Sequence, residues 1–236
     1  MAAVTGPVAD RAHGDLRWHV AAHLLLGMVA PLLLALAAPV TFLLRTLPSP
    51  AARGLTRLLR SRVVRLGTHP LVAAVLDVGG LWLVYRTGLL PLSIGGGPVG
   101  LASGHSAGPA GAVHLLVHLH MFLAGFLFTV AVVGVDPIPH RPRPPVRAVA
   151  LVLAGAGHAV LAKSLYGQPP AGVDVEQARQ AAVLLYYGGD AVELVLAVLL
   201  CRAWFRPPER RARGPRPSAG VPRRWVHLLG QRALGG

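Results

Sequence analysis

The sequence predicts an all-α fold, a polytopic membrane helix bundle of about five transmembrane helices with its N-terminus outside and its C-terminus in the cytoplasm. Three observations carry this reading. The 236-residue chain is 53% hydrophobic and only 14% charged, and its mean hydropathy of +0.55 lies well above that of a soluble domain of similar length. Its apolar runs recur at the length of a bilayer crossing, roughly 20 residues. Its arginines gather in alternate connections between those runs, as the positive-inside rule requires of a chain that crosses repeatedly.

The first run covers 18–44. Pro31 and Pro39 fall inside it, so a kink is expected where a proline removes a backbone donor. The second, 70–87, is interrupted by Asp77 and two glycines. The third and fourth, 112–134 and 146–166, contain glycines of the kind membrane helices tolerate, and the fifth covers 181–203. The resulting organisation is a short outer segment over 1–17, a transmembrane helical domain over 18–205, and a basic, Pro-rich cytoplasmic tail over 206–236. The tail's composition predicts disorder and a solvated topology anchor with some attraction for anionic lipid. Two arginines, an apolar run from Leu24 and small residues at Ala37-Ala38 also imitate a cleaved leader. The run continues through Val40 and Leu44, and Asp10 and Asp15 break the basic character a leader needs, so a retained span is expected.

Orientation follows from the connections. Arg45, Arg53, Arg57, Arg60, Arg62 and Arg65 follow the first run with no acid among them, whereas Ser93 to Gly111 holds no Arg or Lys. Arg141, Arg143 and Arg147 mark the next connection, Lys163 and Arg179 are nearly balanced by Asp174 and Glu176, and the tail is again arginine-rich. Alternation of this kind places the tail in the cytoplasm and the chain in the cell membrane as a multi-pass protein.

A net charge of +14 invites a nucleic-acid reading, but phosphate-binding proteins carry their basic residues on a polar, folded surface, and here they sit between apolar runs. No nucleic-acid partner is expected; membrane lipid is. The single cysteine, Cys201, excludes an internal disulfide and a thiolate metal cluster. Histidine is the anomaly, with eleven residues, several inside apolar runs where an unpaired imidazole is costly.

His19 and His23 stand four residues apart at the outer end of the first helix, so they share a face one turn apart, and His114 and His118 repeat the spacing on the third. Met121 continues the second stripe, while His120 points about a third of a turn away and is left outside the site. Measured along the helices at 1.5 Å per residue, His23 and His118 lie roughly 8–9 Å below the outer boundary and His158 roughly 12 Å. Five histidines from three helices thus fall in the outer half of the membrane. Imidazole suits copper and zinc, and a thioether adds preference for cuprous copper. Hydrogen bonding across helices and snorkelling towards headgroups are the structural alternatives. Asp190 and Glu193 lie three apart on the fifth helix, with Tyr186 one turn above, as accessory groups that compensate an ion's charge, relay protons or pair with a histidine. Asp77 raises the same question, and His69 before Pro70 is expected to be a helix-end residue.

Trp18-His19, His23-Leu24-Leu25-Leu26, Ala30-Pro31, Ala38-Pro39 and Leu43-Leu44-Arg45 succeed one another in an order that resembles the hallmark segment of the CtaG-like cytochrome c oxidase assembly family. His69-Pro70, Leu81-Trp82 with Tyr85, His114 and His118 with Phe122 and Gly125, Gly134-Val135-Asp136-Pro137, and His158 with Leu165-Tyr166 follow in the family's order. The resemblance covers roughly 18–205. It implies a non-catalytic membrane assembly factor that delivers copper to the buried copper centre of a haem-copper oxidase, with the oxidase subunit carrying that centre as partner. His19, His23, His114, His118 and His158 are the residues it implicates in copper binding or hand-over. Two other classes compete: a b-type cytochrome, with His23 and His118 ligating haem, and a zinc-dependent membrane enzyme. Doubling at four-residue spacing suits a compact ion better than a macrocycle, and the sequence offers no general base in a His-Glu-x-x-His arrangement.

Overall fold

The computed structural model describes residues 15–87, 109–134 and 141–205, apart from the side chains of 109–114. All regular structure among these residues is helical. Helix α1 runs over Leu16–Leu36, α2 over Pro39–Thr46, α3 over Ser49–Leu59, α4 over Arg62–Gly67, α5 over Pro70–Arg86, α6 over Pro109–Val133, α7 over Pro144–Gly167 and α8 over Val175–Phe205. Four of them, α1, α6, α7 and α8, are long and apolar enough to cross a membrane. Helix α5, the interrupted second run, has 17 residues, a length at the short end for a crossing.

Local sequence signals punctuate these helices. Asp15 caps α1, its Oδ1 accepting from the Arg17 amide at 2.9 Å. Prolines occupy the first turn of α2, α3, α5 and α7, where a missing N–H costs nothing. His69 is the extended residue before Pro70, the helix-end role its position predicts. Asp174 accepts from the Gln177 amide and starts α8 six residues before its apolar run.

The first run departs from the expected single helix over 18–44. It ends at Leu36, and Ala38 takes a left-handed conformation at φ 50° before α2 begins at Pro39. A residue before proline is crowded out of the right-handed helical region, and here the chain resolves the conflict by breaking. The kink expected at Pro31 takes the form of a π-helical turn over Leu24–Val29, in which the Ala30 amide reaches back to the Leu25 carbonyl.

Two apolar clusters fill the bundle. One, towards the start of α1, joins Leu16, Val20, Leu81, Tyr85, Met121, Leu161 and Leu185. The other, towards the opposite end, joins Leu32, Ala74, Phe128, Val132, Ala154 and Leu196. Small residues line the contacts, as in membrane bundles where close backbone approach replaces a hydrophobic driving force. Large apolar side chains on the outer faces, among them Leu33, Leu116, Val152 and Leu194, are exposed, an arrangement suited to lipid. The ends are tied by polar contacts. Arg17 reaches Gln180 at 3.0 Å and Arg86 reaches Gln168 at 2.8 Å. At the other end the buried Arg147 donates to the Val132 and Val133 carbonyls, satisfying the last acceptors of α6.

Candidate functional site

Polar side chains gather within the first apolar cluster and in the belt between the two. On α1, His19 and His23 sit one turn apart just before the π-helical turn, 2% and 5% exposed. Tyr85 of α5 meets both rings edge to face, with centroids 5.9 Å from His19 and 6.3 Å from His23. His118 of α6 stands 6.2 Å from His19, again edge to face. His158 of α7, 4% exposed, pairs through Nδ1 with Glu193 Oε1 of α8 at 3.3 Å. His23 lies within electrostatic range of His19, His118 and His158, and Asp77 within range of His158 and Glu193.

Pro31 explains how α1 and α6 come together. It has no N–H for the Gly27 carbonyl four residues back, and its ring crowds that oxygen. The wider turn leaves the carbonyl facing α6, where it meets Gly125 so closely that a Cβ there would collide with it. This backbone contact lies about two turns below His19 and His118.

The nitrogens His23 Nδ1 and His158 Nε2 and the hydroxyl of Tyr85 are buried and have no hydrogen-bond partner among the described residues. Among the same residues, no three His, Cys, Asp or Glu side chains are grouped so as to hold a metal ion. The donors are two-helix pairs and approaches, not a closed ligand set. Met121 is buried one turn below His118. His114 lies on α6, with its side chain outside the described residues.

The accessory residues separate. Asp190 and Glu193 were expected to face one way, but three residues on a helix leave them about 60° apart. The edge of the buried face falls between them: Glu193 turns to His158, and Asp190 is exposed. Tyr186 stacks under the Lys163 ammonium at 5.6 Å, in a groove with Tyr166 and Tyr187 whose described lining includes no histidine. His120 turns to α5, where its Nε2 lies 3.2 Å from the Leu76 carbonyl. Tyr85 is the site residue that spacing alone missed. Its signal was present, since Asp77, Leu81 and Tyr85 follow at four-residue intervals on one stripe.

Comparison with known proteins adds the decisive observation. Residues 1–101 and 106–207 match the family described as cytochrome c oxidase caa3 assembly factor (Caa3_CtaG). The chain belongs to this family. The matched region contains all five implicated histidines and Glu193. Proteins of similar sequence include uncharacterised proteins of Mycobacterium bovis and Mycobacterium tuberculosis, each 37% identical over 140 residues, or 56% of this chain and 19% of theirs. An uncharacterised protein of Mycobacterium leprae is 34% identical over 130 residues, or 52% of this chain and 18% of its own. The match thus spans about a fifth of the length of these curated relatives. No solved structure matches the chain.

Proposed function

We propose that this family member is a non-catalytic assembly factor of the plasma membrane that handles copper for the buried copper centre of a haem-copper cytochrome c oxidase. Its N-terminus lies outside and its tail in the cytoplasm on this reading. The observation that carries it is the convergence of His19, His23, His118 and His158 from three helices inside an apolar bundle, with ring nitrogens of His23 and His158 buried and unmatched. Leaving a buried polar atom without a partner costs on the order of 1–3 kcal/mol, so keeping several suggests a use for them.

The donors suit a soft cation. Neutral imidazoles and the Met121 thioether favour cuprous copper, which accepts low coordination numbers and passes readily between such ligands. Glu193, by accepting the Nδ1 proton of His158, leaves Nε2 as the lone pair turned to a ligand, the arrangement in which a carboxylate orients a metal-binding histidine. An open donor set holds cargo without trapping it. His114, one turn above His118, extends the set towards the outer surface, where an ion would arrive. Asp77, within range of His158 and Glu193, adds a carboxyl group to the same belt.

Titration of cuprous ion into the full chain in detergent, against a competing chromogenic chelator, tests this. His23→Ala and His158→Ala are each expected to weaken binding at least about tenfold, while His120→Ala leaves it unchanged. Wild-type affinity no higher than that of a variant in which His19, His23, His118 and His158 are all replaced by Ala would refute copper handling.

A further inference from the structure

The segment joining α1 to α5 carries a feature the histidine site does not use. Helices α2, α3 and α4 contain no fully buried residue, and Phe42, Leu58, Val63 and Leu66 are largely exposed, Val63 by 81%. From Trp18 to Leu76 the chain has no acidic residue, while Arg45, Arg53, Arg57, Arg60, Arg62 and Arg65 fall within it. Helix α3 divides these two characters between opposite faces. Arg53, Arg57 and Arg60 repeat at intervals of four and three, and Ala51, Leu55 and Leu58 repeat the same intervals on the other side. The three arginines, with Ala52 and Thr56, line an open concavity of about 390 Å³. The Thr56 hydroxyl donates to the Ala52 carbonyl at 2.8 Å, so the donors facing the concavity are guanidinium groups.

We infer that α3 lies in the headgroup layer of the membrane, with Leu55 and Leu58 towards the acyl chains, and that Arg53, Arg57 and Arg60 bind the phosphate of an anionic phospholipid. Charge complementarity selects the headgroup: three forked, permanently charged donors match a phosphodiester, and a zwitterionic headgroup offsets its own phosphate with an amine. Continuity with the spans selects a lipid over a soluble phosphate. Helix α1 ends at Leu36 and α5 begins at Pro70, so the connector is held at the bilayer surface at both ends. The apolar face of α3 has an occupant there only in the acyl region. Such a site would fix the inner ends of α1 and α5, the helices that carry His19, His23 and Tyr85.

Native mass spectrometry of the full chain, with phosphatidylglycerol and phosphatidylcholine as probes, measures the retained lipid. Phosphatidylglycerol is expected to be retained preferentially. Replacement of all three arginines (R53Q, R57Q, R60Q) is expected to lower its affinity on the order of a hundredfold, and the corresponding lysine triple variant much less. Soluble glycerol phosphate is expected not to displace the lipid. Equal retention of both lipids, unchanged affinity in the glutamine variant, or displacement by glycerol phosphate at comparable concentration each overturns the proposal. A second measurement is independent of affinity. With Cys201→Ser as background, a polarity-sensitive fluorophore on Leu58→Cys in nanodiscs is expected to report an apolar environment, and a water-like emission contradicts the placement of α3.

Discussion

His158 and Glu193 occupy sockets that their two helices cut for one another. Nδ1 of His158 and Oε1 of Glu193 stand 3.3 Å apart; the imidazole rests against Gly189 of α8, and the carboxylate against Gly155 of α7. At each position a side chain on the opposing helix would collide with the polar group. The pair therefore sits where two glycines permit a close approach, in the belt between the two apolar clusters. A carboxylate and an imidazole at this depth are costly apart and compensate one another together.

If Glu193 orients His158 for copper, Glu193→Gln should lower cuprous affinity by about 10- to 100-fold, the usual effect of removing such a supporting group. Asp190→Asn, one turn away and exposed, should leave it unchanged. Chelator competition with both variants decides between a supporting carboxylate and a purely structural pair, because the latter would lower thermal stability without a selective loss of copper.

Helix contact through backbone makes a separate prediction. Gly125→Ala places a methyl group on the Gly27 carbonyl, which belongs to the backbone and cannot swing aside. Overpacking of this kind costs about 1–3 kcal/mol, and it should appear as a lowered unfolding temperature in detergent. Gly54→Ala is the control. It meets nothing within 4 Å on the surface helix α3, so the better helix former should leave stability unchanged or slightly raised.

Much of the bundle was legible in hydropathy. The runs at 70–87, 112–134 and 146–166 are α5, α6 and α7 to within a few residues, because a stretch of apolar residues in lipid has few alternatives to a helix. The break at Ala38 was not legible, since Leu33 to Leu44 is apolar on both sides of it and only the local crowding before Pro39 ends the helix. The π-helical turn was equally hidden, because a proline predicts a disturbance and not its form. In the site, four-residue spacing correctly aligned His19 with His23, but it could not say which of Asp190 and Glu193 crosses the edge of the buried face. That depends on Gly155, on another helix. Tyr85 entered only through the family resemblance, because the four-residue stripe it shares with Asp77 and Leu81 gains meaning only once its partners His19 and His23 are placed beside it.

The arginine pattern predicts topology. A reporter fused after Arg206 should be active only in the cytoplasm, and one inserted within Gly95–Gly108 only outside. The reverse pattern would invert the depth of every histidine and remove the route by which copper would reach His114 and His118 from the outer surface.

Copper per haem in the oxidase itself tests the proposed role most directly. Membranes from cells lacking this protein should contain oxidase subunits with haem inserted but with low occupancy of the buried copper centre. Full-length protein should restore that occupancy, the His23→Ala form should not, and excess external copper should restore it in part. Normal copper occupancy in the deletion strain, with no paralogue present, would contradict copper handling.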